Sequence, residues 1–348
     1  MRKTQNGPYH LIPEWEEPEA VALIYPCNFS KYNICHDNIT ANQFNMKHIV
    51  DDFNVIVNKL LTLKKTGSDP ELSIIVTGRT KVNVIDFDDP LDIKYHTIPG
   101  LSDIWIKDFA PVPARTFSQE TVYIKPVYSP SYLTKTEARR QHKAGCELAR
   151  IYGREIVHLP LVWDIGNLTH NGLGTGIVTK RIIRDNPELT VNEIRAMFSS
   201  VLGINNLVII NEEPGDYTGH VDGTVRFISH DTVAISQYPP YMGSECRYIE
   251  SIKKAIIKQA DIKIKFADVP NAILCDGKTD GMYSAFGNHI NFLWIGKTIF
   301  IPVYNIPSDI EAYNVFSKYA KDCTLVPVPV SSLSHFGGVL NCMTWKVY

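Results

Sequence analysis

Hydrophobic and polar positions along the chain fall into a pattern that recurs about five times. In each repeat, apolar residues spaced three and four apart mark one face of a helix. A run of apolar, β-branched residues follows within a few positions and reads as a strand. The first helix is expected over about 45 to 63, where Ile49, Phe53, Ile56, Leu60 and Leu63 share a face ahead of LSIIVTG. The second, about 135 to 152, opens on Thr134 and Glu137, spaced as a capping box in which side chain and backbone satisfy each other's orphan groups; EIVHLPLVWDIG comes after it. Thr190 and Glu193 open the third helix, before NLVIINEE. The fourth, about 247 to 260, turns Ile249, Ile252 and Ile256 to one side before IKIKFADV. Ser308 and Glu311 are spaced to cap the fifth, before CTLVPVPV.

Hairpin-like stretches with polar or glycine turns, such as VRFISHDTVAIS and INFLWIGKTIFIPVY, lie between these helix–strand pairs. The repeating unit is therefore strand, strand, helix, strand. No Ser/Gly-rich or Pro-rich linker divides residues 1–348, so one domain is expected. Radial repetition of short sheets gives a five-bladed α/β propeller, with strand ends converging on a central channel where a site would sit. A doubly wound parallel sheet fits less well: hairpins interrupt every unit, and no G-x-G-x-x-G follows the first strand.

Composition narrows the function by exclusion. With 348 residues, 44% apolar and 21% charged, the chain has the make-up of a folded globular protein. Its 35 basic and 37 acidic residues are spread evenly, and no basic run could neutralise a row of phosphates, so nucleic acid is not an expected partner. MRKTQNGPYHLIPEWEEPEA lacks the apolar stretch of a signal peptide, and no segment approaches the roughly 20 apolar residues that span a bilayer. Cys27, Cys35, Cys146, Cys246, Cys275, Cys323 and Cys342 are odd in number and contain no C-x-x-C pair, against both a disulfide framework and a zinc knot. A reducing, cytoplasmic setting follows.

Four segments carry candidate chemistry. GDYTGHVDGTVRFI places Asp216, His220 and Asp222 on a glycine-rich turn entering a strand, where His220 and Asp222 point to the same face. A histidine beside a carboxylate can shuttle protons, ligate a metal, or simply bond its own turn. LSDIWIKDFAPV sets Trp105 between Asp103 and Asp108, a combination that suits an organic cation, although tryptophan is usually core and aspartate before a turn usually a cap. WDIGNLTHNGLGTG supplies Asp164 and Asn167, and HFGGVLNCMTW sets Cys342 after Gly337 and Gly338, where backbone can approach a ligand closely. Free cysteine is more often a small buried hydrophobe.

Taken together and in order, these segments resemble the motifs of the agmatine deiminase branch, with the Porphyromonas-type peptidyl-arginine deiminases, of the guanidino-group-modifying superfamily. PEWEEPEAV resembles the family's opening motif, DIWIKDFAP its W-x-R-D-x-G-P, and WDIGNLTHNGLGT its D/E-G-G-N with G-x-G-T. GDYTGHVDG, INFLWIGKTIFIPVY and GGVLNCMT are similar to the three later motifs. The resemblance implies the five-bladed pentein fold and a hydrolase needing no metal or organic cofactor. By it, Cys342 is the nucleophile, His220 the general acid and base, Asp108 and Asp222 the carboxylates bracketing a guanidinium, and Asp164 the group orienting the histidine. Trp105 and Asp216 match positions lining the alkyl chain and far amine of agmatine.

Lys107 stands where the family usually has arginine, Ile165 replaces a glycine, and Val339 and Asn341 replace the usual residues before the cysteine. These departures surround the substrate, so they bear on which guanidine is bound. Peptidyl-arginine or free arginine deimination, amidino transfer to an amine, and a non-enzymatic propeller used as a binding platform are the rival readings. The expected partner is a small cationic guanidine, and the sequence leaves homo-oligomerisation open.

Overall fold

The computed structural model describes residues 9–26, 46–63, 70–76, 93–101, 103–272, 278–279 and 282–348. Five small open sheets share one connectivity: an antiparallel pair, a helix, then a strand parallel to the second. The helix is obligatory, because a parallel neighbour can be reached only by a long crossover. Val112–Thr116 and Thr121–Val127 lead through the helix Lys135–Ile151 to Glu155–Val162, with Tyr9–Leu11 beside Val112–Thr116. Thr169–His170 and Thr175–Thr179 lead through Val191–Leu202 to Asn206–Ile210. Val225–Phe227 and Thr232–Gln237 lead through Gly243–Gln259 to Lys265–Pro270. Leu293–Ile295 and Thr298–Val303 lead through Ser308–Tyr319 to Thr324–Pro329. The fifth sheet pairs Thr344–Val347 with Ala20–Ile24, which continues through Met46–Leu61 to Glu71–Val76 and Ile93–Thr97.

Neighbouring sheets share cores because alternate side chains of a strand point to opposite faces. In Thr175–Thr179, Val178 packs with Val112, Trp163 and Phe198, whereas Ile177 packs with Val225, Val233 and Ile252. In Thr298–Val303, Ile299 and Ile301 join Ala234 and Phe316, whereas Phe300 joins a cluster holding Ile24, Phe53 and Tyr123. That last cluster links the fourth, fifth and first sheets, so the order closes into a ring. The architecture is the five-bladed α/β propeller expected from the repeat. Middle strands are buried on both faces, which is why they read as unbroken apolar runs.

Both capping boxes expected at Thr134/Glu137 and Thr190/Glu193 form. The one expected at Ser308/Glu311 does not. That helix begins at Ser308 itself after Pro307, and the Ser308 hydroxyl is buried without a hydrogen-bond partner. Asp309 ties down the preceding turn instead, accepting from the backbone N–H of Tyr304 and Ile306 and meeting His289 Nε2 at 2.9 Å. The fourth helix starts at Gly243 rather than near 247. Cys146, Cys246, Cys323 and Cys342 are unpaired, while Cys27, Cys35 and Cys275 lie outside the described residues, as do residues 1–8. Among the described residues no helix is long and apolar enough to cross a membrane.

Candidate active site

Each connection that enters the first strand of a unit delivers part of one site. Asp108 lies in the single helical turn Ile106–Phe109 ahead of Val112–Thr116, and Asp164 lies just ahead of Thr169–His170. His220 and Asp222 precede Val225–Phe227, Asn291 precedes Leu293–Ile295, and Cys342 precedes Thr344–Val347. Equivalent positions in units arranged around a ring lie at the same end of it, so residues remote in sequence come together.

His220 stands among carboxylates. Its Nε2 is 3.3 Å from Asp164 Oδ2, and its Nδ1 is 3.8 Å from Asp108 Oδ1. Tyr132 donates its hydroxyl to Asp164 Oδ2 at 3.0 Å. Gly166 makes room for the ring, since a Cβ there would stand 2.5 Å from Nδ1. Burial works against a charged imidazole, but Asp108, Asp164 and Asp222 outweigh it and hold His220 up to about 10. Burial, countered by His220 and reinforced by Asp164, Asp103 and Asp222, pushes the Asp108 carboxyl up to about 8. One oxygen on each of Asp108 and Asp164 is buried with no hydrogen-bond partner.

Cys342 Sγ accepts a hydrogen bond from Asn291 Nδ2 at 3.2 Å and lies 3.9 Å from Asp222 Oδ2. The same Asp222 oxygen accepts from Asn341 Nδ2 at 2.6 Å. Burial, then Asp222 and Asp108, push the Cys342 thiol well above its ordinary range, with the Asn291 bond working the other way. Burial raises Asp222 as well, against His220, Arg226 and Lys107. Trp105 borders Cys342: a Cβ on Gly338 would lie 2.9 Å from the indole and 3.0 Å from Cys342 Cβ.

Five of the seven anticipated residues, Cys342, His220, Asp108, Asp164 and Asp222, thus form one buried cluster, and Trp105 adjoins it. Asp216 is engaged differently. Its carboxylate accepts from Thr218 N, Thr218 Oγ1 and His220 N at 2.8, 2.7 and 3.1 Å, shaping the turn that presents His220. Lys107 reaches Glu14 at 2.9 Å, and Glu14 also pairs with Arg226. The opening PEWEE segment is therefore an anchor. Despite burial, Arg226, Lys107 and Lys346 hold the Glu14 carboxyl well below the ordinary range. Sequence reasoning covered Asn291 only as part of the INFLW motif and gave it no role, missed Tyr132, and read Asn341 only as a departure. Among the described residues, no group of three or more His, Cys, Asp and Glu is arranged to hold a metal ion.

Residues 10–347 match the family described as Porphyromonas-type peptidyl-arginine deiminase. The chain belongs to that family. Among relatives of this deiminase family member, the agmatine deiminase of Ectopseudomonas mendocina is 24% identical over 228 residues, 58% of this chain and 59% of that protein. The chain spans 58% to 64% of the length of the curated relatives it matches. Solved structures extend the likeness over nearly the whole chain. C. jejuni agmatine deiminase has a TM-score of 0.79 at 15% identity, covering 98% of this chain and 96% of that one. The Enterococcus faecalis agmatine deiminase gives 0.80 at 16%, with the same coverage. At such identities these structures establish the fold of the deiminase family, and the chemistry rests on the site itself.

Proposed function

We propose that this chain hydrolyses the guanidinium group of a small cationic guanidine, with agmatine and water giving N-carbamoylputrescine and ammonia. The observation that carries the reading is the pair of buried carboxylate oxygens on Asp108 and Asp164 that accept no hydrogen bond, beside a third carboxylate on Asp222 and the Cys342 sulfur. Three buried carboxyl groups that share one imidazole and leave acceptor oxygens unfilled call for a cation that brings its own N–H groups. A planar guanidinium held at its edges by Asp108 and Asp222 presents its central carbon to the sulfur. Trp105 offers a cation–π face alongside.

The thiolate of Cys342 adds to that carbon, and the His220 imidazolium gives its proton to the departing nitrogen, which leaves as ammonia. An amidino group then remains bonded to sulfur. Neutral His220 next takes a proton from water, the hydroxide adds to the same carbon, and the C–S bond breaks to free the ureido product. Because every connection of the ring contributes to this site, residues 1–348 are read as one catalytic domain. The reducing cytoplasm, where Cys342 stays a thiol, is its proposed compartment.

Agmatine is preferred to free arginine because the site's charge is negative and Lys107 is committed to Glu14, leaving a substrate carboxylate unpaired. The engagement of Asp216 with its own turn favours a second reading, peptidyl-arginine, since the amine then loses its assigned partner. Steady-state kinetics with agmatine, arginine and an N-acylated arginine amide, read as ammonia release and a product heavier by about one mass unit, decide between them. Higher kcat/KM on the amide selects the second reading. Ammonia from none of the three sinks both.

A further inference from the structure

Three cations from different units converge on Glu14. Its carboxylate pairs with Lys107, in the turn ahead of the first sheet, at 2.9 Å and with Arg226 in the first strand of the third. Its backbone carbonyl accepts from Lys346 Nζ, in the first strand of the fifth, at 2.7 Å. The other groups that meet these cations are neutral: Lys346 also donates to the Trp294 carbonyl at 3.2 Å, and Arg226 donates to the carbonyls of Ile290 and Phe292 and lies over the Phe292 ring. Among the described residues, Lys107 and Arg226 make no other ion pair. Both reach the candidate site. Burial raises the Asp222 carboxyl, and His220, then Arg226 and Lys107, pull it back. Lys107 also adjoins Asp108 in sequence, and its backbone N–H donates to the Cys342 carbonyl at 3.2 Å.

We propose that Glu14 is a positioning residue that sets the charge of the site: by holding Lys107 and Arg226 it keeps them from neutralising Asp222, so that the site stays open to a cation. This role rests on Asp222 being part of the guanidinium's grip in the hydrolysis proposed above. A carboxylate beside two unopposed cations is already satisfied, and a guanidinium brought to it meets repulsion along with attraction. Glu14 cancels one of those two charges and fixes where both side chains end. The remaining bases nearby add little charge. Burial, opposed by Glu14 and reinforced by Lys107 and Arg226, pushes Lys346 down to about 7, and burial pushes His170, which also faces Glu14, down to about 4.

Cys342 reports this field without any guanidine turnover. Its alkylation by neutral iodoacetamide and by anionic iodoacetate is followed on the full chain by peptide mass spectrometry, and the ratio of the two rates cancels changes in thiol protonation, which affect both reagents alike. Glu14→Gln keeps the side chain's shape and removes its charge, so the iodoacetate-to-iodoacetamide ratio should rise ~10-fold. Lys107→Met leaves Glu14 paired with Arg226 and should lower the ratio by about as much, and the double variant should return it to the parent value. A merely structural anchor, once loosened, changes both rates together and leaves their ratio where it was. An unchanged ratio in folded Glu14→Gln overturns the proposal. Where Glu14→Gln does not fold, Lys107→Met decides, and a ratio that fails to fall overturns it equally. A parent and variants that show these ratios but release no ammonia from any guanidine count against the hydrolysis and not against the role of Glu14 in the site's charge.

Discussion

Replacing Asp108 by asparagine should stabilise the substrate-free protein while disabling it. The Asp108 carboxyl is held at about 8 against an ordinary 3.8, chiefly by burial. A raised folded-state value means that its contribution to stability is fully present below the unfolded value and is lost as pH rises through the folded one. At pH 7 the lost stability follows from the interval between 3.8 and 7, which at about 1.4 kcal/mol per unit is at most ~4 kcal/mol. The buried amide has its own desolvation cost, so a net gain of about 2 kcal/mol is expected, or roughly 3 °C in Tm for a chain of this size. The same change removes a charge-assisted grip on the cation and should lower kcat/KM by about 10²–10⁴-fold. Differential scanning calorimetry at pH 7 and pH 4 reads the first effect, because the gain should shrink to a small fraction at the lower pH, where the folded carboxyl is protonated and the unfolded one is near its own midpoint. A lower Tm for Asp108→Asn at pH 7 would show that the carboxylate is already satisfied by the protein, refuting the argument for a waiting cation.

Cys342→Ser should lower kcat by ~10⁴-fold or more while equilibrium dialysis still detects bound agmatine, since the carboxylates and Trp105 supply the grip and sulfur the covalent step. Turnover by the serine variant near the parent rate would exclude the covalent route. Gly166→Ala puts a methyl 2.5 Å from the present position of His220 Nδ1, and displacing the ring by about 1 Å should lower kcat ~100-fold. An unaltered kcat would mean that the ring position does not matter. Glu213 accepts from Tyr238 Oη and from Thr224 Oγ1, and burial pushes it up to about 7 from 4.5, with the Tyr238 bond opposing and Asp216 adding. Its stabilising contribution is therefore present below pH 4.5 and lost as pH rises through about 7, and denaturant melts of Glu213→Gln should show that fall flattened.

The fold was legible because its cause is local and repeated. Helix faces such as Ile249, Ile252 and Ile256 and the doubly apolar strands follow from burial on known periods, and two of three expected boxes formed where they were spaced. The third failed for a reason that spacing does not encode: Asp309, between the two expected partners, already bonds Tyr304, Ile306 and His289. At the site, residues with unusual chemistry stood out, and those that act through geometry did not. Asn291 lies in the INFLW segment that resembles a family motif, but its residue type alone gave it no role. Yet it occupies the position from which Asp108, Asp164, Asp222 and Cys342 each enter a unit, so comparing unit entrances rather than reactive residue types would have found it. Asp216 shows the converse, since its charge suggested a ligand contact and its spacing from Thr218 and His220 produced a turn instead.

The protonation pattern of the site ties these parts into a sequence of events. Burial opposes a charged His220, but Asp108, Asp164 and Asp222 close together outweigh it, while burial and then Asp222 and Asp108 keep the proton on Cys342 sulfur. An imidazolium is the right state for delivering a proton to the leaving nitrogen, but a thiol is the wrong state for attack. In the proposed hydrolysis, a guanidinium between the carboxylates changes one without changing the other. Its charge offsets Asp108 and Asp222, which add to burial in holding the thiol's proton on, and the proton can leave to solvent; the Asp164 contact still supports His220 from the far side. Asn291 then meets the new anion with an N–H already in place. On the proposed hydrolysis, the carboxylates that would bind the cation also keep Cys342 quiet until it arrives, which protects a buried thiol from reacting with neutral electrophiles and makes cationic charge itself the first test of a substrate.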